Sequence, residues 1–124
     1  MPSHLPGRGS AKKAGDEAER IAERFLVARG LVCVERNYRS RFGEIDLIMK
    51  NGERLVFVEV RLRKNQRFGG AGASIGYAKQ QRIIAAAQYY LSAMRAPPAC
   101  RFDALLMNDL SETGIEWIQD AFGT

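Results

Sequence analysis

Three carboxylates, Glu44, Asp46 and Glu59, are the residues of this chain whose types and spacing best suit chemistry. Hard cations such as Mg²⁺ and Mn²⁺ prefer oxygen ligands, and Mg²⁺ is usually held by one or two carboxylates together with waters and substrate phosphates. Glu59 is the most informative, because it interrupts a run of apolar residues in which an unpaired charge is costly to bury. These carboxylates predict a site for Mg²⁺ or Mn²⁺. An exposed polar face neutralised by neighbouring arginines is the alternative interpretation.

The carboxylates lie on or beside two runs of strand-forming residues, Ile45–Met49 and Leu55–Leu62, which are separated by Asn51–Gly52. An Asn-Gly pair between such runs is the strongest short-range signal of a β-hairpin, because both residues tolerate the positive φ of a type I′ turn. The sequence therefore predicts two adjacent antiparallel strands joined by a two-residue loop.

A loop at this Asn-Gly pair also predicts which side chains share a face of the hairpin. Glu44 then lies opposite Glu59, and Asp46 lies opposite Phe57 as a diagonal neighbour of Glu59. Side chains alternate along a strand, so these three carboxylates share one face with Arg61. Like charges at facing positions destabilise a sheet, so the face requires a nearby cation. The opposite face is expected to be core and carries Ile45, Leu47, Met49, Val56, Val58 and Val60.

A helix over Lys12–Arg29 is predicted to pack beside the hairpin, because its apolar residues recur at three- and four-residue spacing and Gly30 is a natural stop. At 100° per residue, Glu19 lies about 20° from Leu26, at the edge of the apolar stripe. Glu19 can therefore reach around the rim of the sheet toward the carboxylates. A boundary glutamate paired with an arginine is the alternative.

The remaining elements complete an alternation of strands and helices. A second helix is predicted over Ser74–Met94, with Ser74 as its N-cap. Short strands are predicted at Leu31–Glu35, Arg101–Met107 and Gly114–Ile118. The basic, glycine-rich segment Arg63–Ala73 is expected to be a mobile loop that closes on a substrate.

The charge of the chain is segregated, with a net charge of +10 up to Arg101 and −5 after it. Such a basic region is typical of nucleic-acid binders, because neutralising phosphates releases counterions. The candidate phosphate contacts are Arg36, Arg39, Arg41, Arg63, Lys64 and Lys79. The first three are interleaved with Tyr38 and Phe42, which suits base stacking. A solvated turn whose aromatic residues pack on the core is the alternative.

Length and composition predict one folded domain. Residues 1–13 read as a disordered basic leader without the apolar segment of a secretory signal, and residues 14–124 read as a single domain. No run of eighteen apolar residues occurs, so no membrane-spanning helix is expected. Cys33 and Cys100 lack the spacing of a metal site, so reduced thiols in a cytoplasmic protein are expected. A homodimer is left open.

Several motifs, in order and spacing, resemble known families. Asp46, followed by Glu59-Val60-Arg61 on the next strand, resembles the PD-(D/E)xK arrangement of restriction-endonuclease-like nucleases. A wider set of motifs, from about Gly15 to Phe122, resembles the YraN-like family of uncharacterised bacterial proteins, which itself resembles the archaeal Holliday-junction resolvases in fold. The set comprises Gly15-x3-Glu19-x2-Ala22-x3-Leu26, Arg36-Asn37-Tyr38-Arg39, Gly43-Glu44-Ile45-Asp46-Leu47-Ile48, Phe57-Val58-Glu59-Val60-Arg61 and Arg101-Phe102-Asp103.

The resemblance implies an α/β fold with a restriction-endonuclease-like core over residues 14–124. The core has the order α-β-β-β-α-β, here followed by a last strand, and a mixed central sheet flanked by helices. It also implies that Asp46 and Glu59 bind Mg²⁺ or Mn²⁺, with Glu19 or Glu44 contributing.

Arg61 departs from the nuclease pattern, because it occupies the position of the lysine in E-x-K. Arginine stays protonated and cannot act as a general base, but it can hold a phosphate oxygen. The resemblance thus implies Asp46, Glu59, Glu19 and Arg61 as catalytic residues, and Lys79 is a candidate for the missing amine.

Three functions are compatible with these patterns. The first is a DNA-binding Mg²⁺-dependent endodeoxyribonuclease, with branched or damaged DNA among its candidate substrates. The second is a non-catalytic DNA-binding or scaffolding protein that retains the nuclease fold. The third, least favoured, is a structural domain whose acidic patch is only ion-paired.

Overall fold

The computed structural model describes residues 6–63 and 75–123, with side chains from residue 13 onward. Two helices and five strands follow one another in the predicted order, so the α/β class is confirmed. Lys64, Ser74 and all but the first residue of the predicted Arg63–Ala73 loop lie outside the described residues. The elements are α1 (Pro6–Ala28), β1 (Val32–Ser40), β2 (Gly43–Asn51), β3 (Arg54–Leu62), α2 (Tyr77–Ser92), β4 (Cys100–Met107) and β5 (Glu116–Phe122).

The five strands form one mixed sheet in the order β1-β2-β3-β4-β5. All neighbouring strands are antiparallel except β3 and β4, which are parallel and are connected through α2. A parallel pair needs such a crossover, because a tight turn cannot bring the chain back to the starting edge. The helices pack on different faces, so the centre of the sheet is covered on both sides.

Each face of the sheet has its own apolar core. The α1 face is built on the predicted helical stripe Ala18, Ile21, Ala22, Phe25 and Leu26, with Leu47, Met49, Val56, Val58, Leu105 and Met107 from the sheet. The α2 face contains Ile45, Ile48, Leu55, Phe57, Ile83, Ile84, Ala86, Ala87 and Phe102. The prediction of a single apolar face is therefore wrong, since Ile45 packs against α2 and Val58 against α1.

The β2–β3 hairpin turns one residue later than predicted. Asn51 pairs with Arg54, so the loop is Gly52–Glu53. Gly52 has φ of 64°, whereas Glu53 is not among the residues of positive φ, which is the pattern of a type II′ turn with glycine first. The predicted Asn51–Gly52 loop is therefore wrong. The apolar run of β3 could not distinguish it from the observed loop, because both faces of this strand are buried.

Because of this later turn, each residue of β2 faces a β3 residue two positions further along than predicted. Ile48, rather than Asp46, faces Phe57, and the last regular pair is Leu47 with Val58. Glu44 is therefore not opposite Glu59, which corrects the predicted pairing. The register differs from the prediction by two residues, so the difference does not move any side chain to the other face of the sheet. It brings Asp46 closer to Glu59 than predicted.

The ends of the other elements differ modestly from the prediction. Gly30 ends α1 as expected, with φ of 97° and its N–H donating to Val27. Strand β1 continues to Ser40, five residues beyond its predicted end at Glu35, so Arg36 and Arg39 lie on the strand and the alternative of a solvated turn is wrong for this part of the segment. Helix α1 begins at Pro6, inside the predicted leader, and the domain boundary at residue 14 stays a prediction.

Candidate active site

Asp46 and Glu59 come together where the regular pairing of β2 and β3 ends. The Asp46 Oδ2 atom accepts a hydrogen bond of 2.8 Å from the main-chain N–H of Val60. The Asp46 side chain thus takes the place of a main-chain acceptor beyond the last regular pair. This bond fixes one carboxylate oxygen and directs the side chain to its neighbour on β3.

Glu59 is a buried acid, with 4% of its surface exposed. Burial first, and then the adjacent charge of Asp46, raise the pKa of Glu59 to about 8, while Lys79 and Arg61 oppose the shift. The Lys79 Nζ atom on α2 lies 3.5 Å from Glu59 Oε2. Lys79 and the half-buried Arg61 therefore lie close enough to Glu59 to favour its ionised carboxylate.

Glu19 reaches the same place from α1, on the other side of the sheet. Burial first, and then the charge and hydrogen bonding of Asp46, raise the pKa of Glu19 to about 7. Its buried Oε1 atom has no hydrogen-bond partner among the residues that the structure describes. The predicted reach of Glu19 around the rim is thus observed, and Asp46 lies between two protonatable carboxyls.

Asn37 is a member of this cluster that the sequence interpretation missed. It lies on β1 between Arg36, which pairs with Leu47, and Tyr38, which pairs with Ile45, so it stands beside Asp46. Its hydrogen bond to Glu19 favours the ionised acid and so works against the raised pKa. Asn37 has φ of 51°, a left-handed conformation that asparagine tolerates better than most residues.

Glu44 lies outside this arrangement. Its carboxylate is 3.4 Å from Arg39 Nε, and both side chains are more than half exposed. The prediction that Glu44 shares the carboxylate patch depended on its facing Glu59, a pairing that the sheet does not contain. The carboxyl groups brought together are those of Asp46, Glu59 and Glu19.

The donor set suits a divalent cation that keeps part of its water shell. Within residues 13–63 and 75–123, no group of three or more His, Cys, Asp or Glu side chains could hold a metal ion together. Asp46 instead forms two carboxyl pairs, one with Glu59 and one with Glu19. One or two carboxylates completed by water and phosphate oxygens are the usual protein ligands of Mg²⁺, so these residues fit that ion.

A cleft of about 380 Å³ opens beside Glu19, between α1 and the end of β1 that carries Asn37. Its lining is mixed in charge, with acidic residues from α1 facing arginines from both elements. The lining residues are Asp16, Glu19, Arg20, Glu23, Arg36, Asn37, Arg39 and Leu47.

Apart from Lys79, which is paired with Glu59, the predicted phosphate contacts that the structure describes divide into two groups. Arg36 makes two hydrogen bonds of 2.6 Å to Glu23, and Arg63 donates a 2.7 Å hydrogen bond to Asn108. These two side chains are held by the protein itself. Arg39 and Arg41 are exposed, and the Arg41 guanidinium lies 4.9 Å from the centre of the Phe42 ring.

Similarity to known proteins extends over nearly the whole chain. The model of the uncharacterised protein family UPF0102 matches residues 18–107. A UPF0102 protein of Nitrosospira multiformis is 56% identical over 108 residues, covering 87% of this chain and 91% of its own. A UPF0102 protein of Methylobacillus flagellatus is 56% identical over 111 residues, covering 90% and 97%. One of Janthinobacterium is 47% identical over 121 residues, covering 98% and 96%.

Among the described residues, no helix has the length and apolar character needed to cross a membrane.

Proposed function

This chain belongs to the uncharacterised protein family UPF0102, the YraN-like family that its motifs resemble, and we propose that it is a metal-dependent endonuclease acting on DNA. The observation that carries the proposal is the carboxyl cluster in which the half-buried Asp46 lies between the buried Glu59 and the half-buried Glu19. Carboxylates that face one another away from bulk water need a proton or a cation. An ion with oxygen chemistry, Mg²⁺ or Mn²⁺, is the partner that this cluster suits best.

Each carboxyl has a distinct role in the proposed site. Asp46 and Glu59 would hold the ion, and Asp46 is already oriented by the N–H of Val60. Glu19, whose Oε1 atom has no hydrogen-bond partner among the described residues, would complete the site through water. When bound, the ion polarises the phosphodiester and lowers the pKa of an attacking water.

Two cations next to Glu59 would supply the positive charge that phosphoryl transfer needs. Arg61 would offset negative charge on the phosphate in the transition state, and it cannot remove a proton from water. The ammonium group of Lys79, 3.5 Å from Glu59, is the candidate to orient that water. The lysine absent from E-x-K would thus be provided by α2.

The detailed fold relationship belongs to the same proposal. The order α-β-β-β-α-β, a mixed sheet and a helix on each face support a restriction-endonuclease-like core and kinship with the archaeal Holliday-junction resolvases. A cytoplasmic location would suit a DNA substrate and free thiols.

Cleavage of four-way junction, flap and linear DNA with Mg²⁺ or Mn²⁺ tests the proposal. We expect wild type and Arg61→Lys to cut, Arg61→Ala and Lys79→Ala to be slower by about a hundredfold, and EDTA to abolish cleavage. An Asp46→Asn, Glu59→Gln double variant, prepared identically, measures contaminating nuclease. Cleavage that persists in the double variant would contradict the proposal.

A non-catalytic DNA-binding protein with a nuclease fold is the second candidate. The observation that favours it is arginine in place of lysine at position 61. If wild type, Arg61→Lys and Arg61→Ala all bind DNA in a salt-dependent manner and none cuts any substrate, this second function is the correct one.

A further inference from the structure

We propose that the seam between α2 and the start of β2 binds single-stranded nucleic acid, with Phe42 and Tyr89 as a base-stacking platform at the end distant from Glu59. The proposal rests on the proposed function and deepens it, because it names the substrate class. The substrate would be DNA with an unpaired strand, such as a flap, a gap or a single-stranded overhang.

The platform consists of two aromatic rings that touch each other and remain accessible. The ring centres of Phe42 and Tyr89 are 5.5 Å apart, and the rings are tilted by 56°. Phe42 is 38% exposed and Tyr89 is 50% exposed, and exposed Met94 lies beside Tyr89 in a groove of about 380 Å³. The Arg41 guanidinium lies over Phe42. Aromatic rings next to arginine are the combination that single-strand binders use for bases and phosphates.

One side of α2 leads from this platform to the carboxyl cluster. At 100° per residue, Lys79, Arg82 and Tyr89 fall within an arc of about 80°, so they lie along the same side of the helix. Lys79 to Tyr89 is ten residues, or about 15 Å at 1.5 Å per residue. Lys79 is the residue that contacts Glu59, so this side of α2 connects the platform to the site.

The start of β2 forms the other wall of the seam. Phe42 to Asp46 is four residues, or about 13 Å along a strand, which matches the length of the α2 wall. The walls meet at Gly43, where a Cβ atom would lie only 3.0 Å from the Arg82 carbonyl oxygen. Both walls therefore run from the aromatic pair to the carboxyl cluster, over roughly four nucleotides at 3.4 Å per stacked base.

The charges along the seam suit a phosphate backbone. Arg41, Arg82 and Lys79 lie along its length, while the exposed Glu44 is paired with Arg39. A duplex keeps its bases stacked on one another, so only an unpaired strand could place its bases on these rings. Stacking is tolerant of sequence because every base has a π-face.

Fluorescence anisotropy with the full chain in EDTA tests the proposal without any cleavage. The probes are a labelled oligothymidine of twelve nucleotides and a twelve-base-pair duplex. We expect Phe42→Ala and Tyr89→Ala each to weaken oligothymidine binding by about fivefold to a hundredfold, and duplex binding by less than twofold. Phe42→Tyr and Tyr89→Phe should retain wild-type affinity, because they preserve the rings.

Tyr77→Ala is the matched control, because Tyr77 is 75% exposed and begins α2 on a different side from Tyr89. Equal losses for Tyr77→Ala, or unchanged oligothymidine affinity in both platform variants, would overturn the proposal. Platform variants that change self-association in sedimentation but not DNA affinity would also overturn it, and would indicate an interface between copies of the chain.

Crosslinking avoids any dependence on variant folding. An oligonucleotide with iodouracil, irradiated with the wild-type chain, should attach to Phe42 or Tyr89, and attachment only elsewhere would contradict the proposal. The Asp46→Asn, Glu59→Gln variant should keep the single-strand preference. A wild-type chain that shows this preference but cuts no substrate would therefore count against the proposed function alone.

Discussion

Among the residues that the structure describes, acidic side chains are buried in two places, and the surroundings of the two are opposite. On β4, Asp103 is fully buried and accepts hydrogen bonds from Arg101 Nε at 3.0 Å, Trp117 Nε1 at 2.9 Å and the Asp120 N–H at 2.9 Å. At the β2–β3 hairpin, Glu59 and Asp46 face each other, and Asp46 accepts a single described main-chain bond. The first acid is surrounded by donors, whereas the second is surrounded partly by other acids.

The difference separates a structural acid from a functional one. A buried charge is tolerated when it is paired and hydrogen-bonded, and Asp103 has a buried arginine partner and two further donors. In the hairpin cluster, burial first and then the charge of Asp46 raise the pKa values of Glu59 and Glu19, and Lys79 and Arg61 offset the shift of Glu59 only in part. Burial of an acidic side chain therefore does not by itself identify a functional site, whereas burial without enough compensating charge does.

The largest expected effect comes from breaking the structural acid. Asp103→Asn leaves the buried guanidinium of Arg101 without its anion, so the free energy of unfolding should fall by about 3–5 kcal/mol. The melting temperature should drop by roughly 10–20 °C for a domain of this size. Urea unfolding measures the change. Asp46→Asn is the matched control and should cost far less, because it removes charge from a cluster of like charges. Equal losses would erase the distinction between the two places.

The second-largest expected effect is on the pH dependence of stability, which tests the raised pKa of Glu59 in the hairpin cluster. Glu59 has a pKa of about 8 in the folded chain against 4.5 ordinarily, so the folded chain holds more protons between these values. Raising the pH through that window should therefore lower the free energy of unfolding, by up to about 1.4 kcal/mol per pH unit. Glu59→Gln should flatten the curve, and exposed Glu112→Gln should not. A wild-type stability that rises from pH 5 to pH 8 would contradict the raised pKa.

The smallest effect concerns the arginines, which show the same contrast. Arg36 and Arg41 are both exposed, but Arg36 is held by Glu23 through two hydrogen bonds, whereas the Arg41 guanidinium lies over the Phe42 ring. Replacing Arg39 and Arg41 with Ala should flatten the dependence of log affinity on log salt by roughly one unit per lost phosphate contact. Arg36→Ala should change the slope less. A DNA affinity that does not depend on salt would reject phosphate binding altogether.

The sequence was sufficient to predict the order of elements, because each helix and strand has its own apolar period and stop signal. It also predicted that Asp46, Glu59 and Glu19 approach one another, since strand alternation and helical angle are local rules. The hairpin register could not be predicted, because residues 55–58 are apolar on both faces and give no preference between two loops. The type II′ pattern at Gly52 then overrides the Asn-Gly signal.

Asn37 and the Asp103 network were out of reach for a different reason. A left-handed residue inside β1 depends on its neighbours across the sheet, and its only sequence signal is an asparagine within a strand-like run. The donors to Asp103 come from positions 101, 117 and 120, and the last of them is a main-chain N–H next to a bulge in β5. Long-range partners of this kind have no periodic signature.

Mn²⁺ binding followed by calorimetry at pH 7 tests the central claim most directly. Wild type should bind the ion and release protons, because Glu59 and Glu19 are partly protonated at that pH and must ionise to become ligands. Titrations in buffers of different ionisation enthalpy measure this release. The Asp46→Asn, Glu59→Gln variant should lose both the binding and the proton release. The same Mn²⁺ affinity in wild type and the double variant would contradict the account.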